Sequence, residues 1–150
     1  MTTESIEIVD AKEEDLGQIF DFVKQLAIFE KEPESVTTDI EEYKKCFKQG
    51  VFDAILAKKE GKAVGMALFY TTFSTWKGKM MYLEDFIVEE PYRKLGIGEM
   101  LFDRFIAISK EREAKLAKWQ VLDWNTIALN FYAKKDAIIE KNWWNGKIIF

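Results

Sequence analysis

Histidine is absent from this 150-residue chain. Ser-His-Asp triads, Cys-His dyads and His-liganded zinc sites are therefore excluded. Acid–base work falls to Asp, Glu, Tyr or Lys, or to backbone and water. Cysteine is nearly absent as well: Cys46 stands alone, so no internal disulfide forms and a reducing cytoplasm is the expected compartment. With no His to activate it, Cys46 reads as a buried or half-buried helix residue rather than a nucleophile. No apolar run approaches the length of a membrane span. Residues Met1 to Ser5 carry neither the basic region nor the apolar stretch of a signal peptide. Only two prolines occur, Pro33 and Pro91, with no repeat or Pro/Gly-rich linker, so a single domain over residues 1–150 is expected.

What is present is enough for a core. Hydrophobic residues make up 48% of the chain and aromatics 15%, which excludes a disordered chain and needs neither disulfide nor structural metal. A net charge of −4 and a pI near 5.1 argue against a nucleic-acid partner and suit a cationic substrate.

Strand and helix signals alternate, which predicts an α/β (α+β) sheet domain. Ser5 to Val9 alternates as a short strand. Asp10 with Glu13 has the spacing of a capping box, and Leu16, Ile19, Phe20, Val23 and Leu26 recur at helical period. Thr38 with Glu41 repeats the capping signal for a helix through about Lys48. Val51 to Ala57 and Val64 to Phe73 read as a hairpin across Lys58–Gly61, and Lys79 to Val88 as a third strand. A helix from Gly98 carries Leu101, Phe102, Phe105 and Ile108 on one stripe. Trp119 to Leu122 reads as a strand, Thr126 to Lys135 as a helix, and Ile138-Ile139 and Lys147 to Phe150 as closing strands.

The turn Arg93-Lys94-Leu95-Gly96-Ile97-Gly98 lies between a β-run and an amphipathic helix. Glycine lets backbone approach a ligand, and unpaired N–H groups at a helix start, with the positive end of its dipole, point at an anion. Arg93 and Lys94 add formal charge. A dinucleotide fingerprint would need glycine where Leu101 stands, and no Gly-Lys-Ser/Thr Walker loop exists.

The Arg-x-x-Gly-x-Gly spacing resembles the pyrophosphate motif of the GNAT acetyltransferase superfamily. Tyr82-Leu83-Glu84-Asp85-Phe86-Ile87-Val88 precedes it, and Trp124-Asn125 and Asn130-Phe131-Tyr132 follow, as that family's blocks do. Trp76-Lys77-Gly78-Lys79 with the Tyr82 block is similar to the diamine and polyamine (spermidine/spermine) branch, and Val121-Leu122-Asp123-Trp124-Asn125 to its thialysine acetyltransferase sister. The resemblance implies a mixed sheet of about seven strands with a splayed parallel pair, flanked by about four helices.

It also implies acetyl-CoA as co-substrate and no metal. Backbone groups of Phe86, Ile87 and Val88 would pair with the pantetheine arm. Arg93, Lys94, Leu95, Gly96, Ile97, Gly98 and Glu99 would hold the pyrophosphate, with Asn125 on the arm's far side. An amine attacks the acetyl group directly, with Glu84 as base through water and Tyr132 as acid to the leaving thiolate, a phenol and a thiol having neighbouring pKa values. In a regular strand Asp85 faces away from Glu84, and both serve one site only if a bulge rotates the backbone. Glu30, Glu84 and Asp85 would supply negative charge for a small cationic amine, and Trp76 an aromatic wall. Glu30-Lys31-Glu32 also reads as a solvated helix end, and Trp143 and Trp144 as core or dimer packing.

Two positions depart from the pattern. Ser74 stands where polyamine enzymes carry an acid, and Asp136 where a glycine usually follows the tyrosine helix. The first points to a shorter diamine, a thialysine-like amino acid or another small amine, and the second to a different helix exit. Acetylation of protein N-termini or lysines, or a CoA-binding regulatory module, stand as alternatives. Neither nucleic acid nor membrane is an expected partner. A homodimer is implied by the resemblance.

Overall fold

The computed structural model describes residues 5–150, and the leader reading of Met1–Glu4 lies outside the described residues. The chain divides into two compact units, Met1–Gln120 and Val121–Phe150. The first holds β1 (Ile6–Asp10), α1 (Leu16–Phe29), α2 (Ile40–Lys48), β2 (Asp53–Lys59), β3 (Lys62–Ser74), β4 (Gly78–Val88), α3 (Ile97–Glu111) and β5 (Leu116–Trp119). The second holds α4 (Thr126–Lys134).

The strands form a mixed sheet in the order β1-β2-β3-β4-β5. Neighbours are antiparallel from β1 to β4, while β4 and β5 are parallel through Met80–Leu83 against Leu116–Trp119. The β2–β3 link is a two-residue turn in which Glu60 and Gly61 both take positive φ (51° and 80°), the geometry that matches strand twist.

Period-2 alternation divides β3 between two layers. Met66 and Leu68 join Leu16, Ile19 and Phe22 of α1 in one core cluster. Phe69 turns the other way and meets Phe105 of α3 at 5.3 Å between ring centroids. Each such fully buried side chain stabilises the fold by roughly 1.5–3 kcal/mol. Gly65 lies on the α3 side, where an added Cβ would sit 3.0 Å from the Ile87 carbonyl and 3.1 Å from Leu101. The missing side chain is what lets α3 seat this closely.

Several expectations need correction. Among the described residues there are five strands, not about seven. Ile138-Ile139 and Lys147 to Phe150 form none; Ile148 and Ile149 are exposed. β-Branched composition is only a propensity, and a strand needs hydrogen-bonded neighbours and a face to bury. The strand expected at Trp119 to Leu122 lies earlier, at Leu116–Trp119.

The helix caps also move. Asp39, not Thr38, caps α2, its Oδ1 accepting from Glu42 N at 2.9 Å. Before α1 the reach-back bond is from Lys12 N to Asp15 Oδ2 at 2.8 Å, not an Asp10–Glu13 pair, because a 3-10 turn at Glu13–Asp15 intervenes. Phe22, outside the expected stripe, is fully buried.

Candidate active site

β4 has a break in its register. Leu68 of β3 pairs with Asp85 and Phe69 pairs with Leu83, so Glu84 is an extra residue with no partner position. A bulge of this kind reverses the alternation of faces. Tyr82 stacks on Tyr70 at 5.5 Å, and Ile87 joins the α1 core cluster on that same layer. Residues 82 and 87 would face opposite ways in an unbroken strand. With the bulge, Glu84 and Asp85 both line one cavity of about 320 Å³.

α2 supplies Tyr43, Glu42 and Cys46 to one wall of that cavity, while Phe52 and Leu68 form its buried floor. Tyr43 packs against Phe20 at 4.8 Å and Phe52 at 5.8 Å, so its ring is held by aromatic neighbours from α1 and from the residue that precedes β2. The amphipathic pattern of α2 is visible in the sequence, but no motif marks Tyr43 or Tyr70 as site residues. They are found only once the sheet register is known.

The cavity crowds negative charge into apolar surroundings. Burial, then the charges of Glu84 and Glu30, push the Asp85 carboxyl up to about 7. Desolvation alone raises Glu84, and desolvation followed by Glu84 raises Glu30, which stands at the C-terminal end of α1. Burial and the same carboxylates drive Tyr43 and Tyr70 to about 12, so both phenols stay neutral. The Cys46 thiol is also raised, by desolvation first and then by its 3.4 Å bond to Glu42 Oε1, which is unsuited to a thiolate nucleophile.

On its other edge β4 outruns its neighbour. The pairing with β5 stops at Leu83–Trp119 while β4 continues to Val88, so among the described residues no strand flanks 84–88 there. Phe86, Ile87 and Val88 lie on this stretch, with Arg93–Glu99 just beyond it. Lys94 (φ 64°) and Gly96 (φ 82°) both take the left-handed conformation, turning the chain into α3. The first N–H groups of such a helix have no intrahelical acceptor. Arg93 is partly committed, its Nε donating to the Val88 carbonyl at 2.8 Å. Gly98 faces Phe86 and Val88, and a Cβ there would meet only ordinary contacts at 3.6 and 3.8 Å. Its protein neighbours therefore leave room at that position.

In the second unit Asn125 caps α4, its Oδ1 accepting from Ala128 N at 3.2 Å. Tyr132 is buried against water and sits edge-on to Phe131 at 5.6 Å. Burial pushes its phenol up to about 12, which widens the gap from a thiol beyond that expected from sequence. Asp136, at the glycine position, takes φ 58°. Asp136 N bonds to Ala133 O and Ala137 N to Tyr132 O, both at 3.1 Å, which is a Schellman helix exit. The exit is the usual one, built without glycine.

Trp76 and the tryptophan pair lie at the surface. Trp76 is 83% exposed in the β3–β4 turn and does not line the cavity. Ser74 Oγ in the same turn accepts from Lys77 N at 3.1 Å. Trp143 and Trp144 are exposed, so neither is a core residue.

Comparison with known proteins identifies the family and the fold. Residues 17–136 match the acetyltransferase (GNAT) family. The thialysine N-epsilon-acetyltransferase of Caenorhabditis elegans is 28% identical over 134 residues, covering 89% of this chain and 84% of that protein. The human spermidine/spermine N(1)-acetyltransferase-like protein 1 is 37% identical over 82 residues, 54% of this chain and 12% of that much longer protein. An aminoglycoside acetyltransferase from an uncultured soil metagenomic sample shares the fold, with a TM-score of 0.81 at 20% identity over 97% of both chains. The chain is an N-acetyltransferase and belongs to the acetyltransferase (GNAT) family, whose proteins use acetyl-CoA.

Proposed function

We propose that this enzyme transfers acetyl from acetyl-CoA to the primary amine of a small cationic substrate, by direct attack in a ternary complex. The observation that carries the proposal is the β4 bulge, which gives one cavity two adjacent carboxylates on the strand whose opposite edge is open. The unpaired edge at 84–88 and the α3 N-terminus suit an extended amide arm ending in a pyrophosphate. When bound, acetyl-CoA supplies an activated acetyl thioester.

The residues then divide the remaining work. Phe86, Ile87 and Val88 would hold the pantetheine arm through backbone bonds, helped by Asn125, and Lys94 to Glu99 would cradle the phosphates. The arriving amine is an ammonium with a pKa near 10 and must lose a proton before it attacks. Glu84 is the base named by the resemblance. Asp85, titrating near neutrality beside it, makes the pair rather than either residue the proton acceptor. Glu30 strengthens the negative field. Tyr132 keeps its proton at every working pH and is proposed as the donor to the departing sulfur.

Polyamines and thialysine-like amino acids are the acceptor classes suggested by the relatives' names, and shorter diamines are added by Ser74 at the position where polyamine enzymes carry an acid. The cytoplasm as compartment and a homodimer as assembly belong to the same proposal; the exposed Trp144 and Ile148 support the dimer.

Release of the CoA thiol, followed with a panel of diamines, polyamines, amino acids and peptides, is the test. Turnover with small amines supports the proposal. Turnover only with peptides would favour protein acetylation, and tight acetyl-CoA binding without any turnover would favour a regulatory module.

A further inference from the structure

The cavity that takes the amine has a one-sided charge. Its walls carry Glu42, Glu84 and Asp85 and, among the described residues, no Lys or Arg. The rest is almost wholly apolar, with the rings of Tyr43, Phe52 and Tyr70 among the lining residues. Depth is graded along it: Phe52 and Leu68 are buried, Asp85 half-buried, and Glu84, Glu42, Thr38 and Val51 exposed at the mouth.

Basic residues close by are turned to other tasks. Lys24 lies over the Phe20 ring at 4.3 Å. Lys45 acts on Cys46 more weakly than Glu42 does, and neither lysine lines the cavity. Glu84 and Glu30 act on Asp85, Asp85 and Glu84 on Tyr43, and Glu84, Tyr82 and Asp85 on Tyr70; among the described residues the charges that shift these three groups are all negative.

Consider an acceptor whose ammonium reaches Asp85. Its far end then lies at the mouth, beside Glu42 and Glu84. A second ammonium there meets a carboxylate, as in a diamine. An α-carboxylate there meets the like charge of Glu42 and Glu84 and, among the described lining residues, finds no guanidinium or ammonium to pair with.

We infer that the enzyme selects against acceptors bearing a free carboxylate, so that amines without one, and not free α-amino acids, are its substrates, with Glu42 at the mouth as a specificity-determining residue. The inference rests on the amine-acetylation proposal above. It separates this chain from what the names of its thialysine-acetylating relatives imply for them.

Matched acceptors test it: cadaverine, lysine and lysine methyl ester share the reacting amine and differ at the far end. At saturating acetyl-CoA, kcat/KM for cadaverine and for the methyl ester should exceed that for lysine by at least about tenfold, a difference of roughly 1.4 kcal/mol. Thr38→Arg, which adds a cation at the exposed mouth, should narrow the lysine-to-cadaverine gap, and Glu42→Gln should narrow it less. Lysine turning over as fast as its methyl ester would overturn the inference while leaving the acetyltransferase proposal standing. No turnover with any of the three or with any other amine of the panel, although acetyl-CoA binds by calorimetry, would overturn both.

Discussion

At Asp85 the proposed function is set against stability. Unfolded, its carboxyl titrates near 3.8; folded, it is pushed to about 7 by burial and by Glu84 and Glu30. The folded chain therefore holds more protons between these values. Stability from this group is full below the unfolded value and is lost as pH rises through the folded one, up to roughly 4 kcal/mol before solvent screening. Asp85→Asn should accordingly raise Tm by about 5 °C at pH 8, and change it little at pH 4, in a thermal melt followed by circular dichroism. Equal effects at both pH values would remove the burial argument. Tyr132→Phe keeps the packing and deletes the proton, so kcat should fall about tenfold or more while acetyl-CoA affinity holds. Unchanged turnover in stopped-time assays would take the acid role from Tyr132.

At the scale of elements, three short features decide the geometry: a cap, a glycine and a helix exit. Asp39 caps α2, which carries Tyr43 and Glu42, so Asp39→Ala should cost about 1 kcal/mol in urea unfolding. Gly65→Val should cost on the order of 2 kcal/mol, since its side chain would press on backbone at Ile87. Asp136→Gly should stabilise by up to about 1 kcal/mol, because only glycine takes φ 58° without strain. A destabilised Asp136→Gly variant would mean that the Asp side chain has a task beyond the turn. Much at this scale was legible in sequence, since helical stripes and turn residues are local signals. The caps were misassigned because Thr38 and Asp39 are both competent cappers one position apart, and only the helix start chooses between them. The closing strands failed for a different reason: Lys147 to Phe150 has strand composition, but pairing is a long-range fact.

The same divide holds across the whole molecule. The proposed donor side is written in contiguous residues, because a phosphate-binding turn needs glycines and a helix start at fixed spacing, and Arg93–Gly98 has them. The proposed acceptor side is assembled from α2, β3 and β4, so Tyr43 and Tyr70 gave no signal in isolation. Between the two lies the bulge at Glu84. The sequence posed it as the condition for Glu84 and Asp85 to share one site, and register alone could answer.

The most direct test of that paired-carboxylate base is the pH dependence of kcat/KM with cadaverine, for the wild type and Asp85→Asn. Wild-type activity should climb through a limb centred near pH 7 as the pair gives up its proton. The variant should lose that limb and fall well below wild type on the plateau. The same limb and the same rate in Asp85→Asn would contradict the assignment.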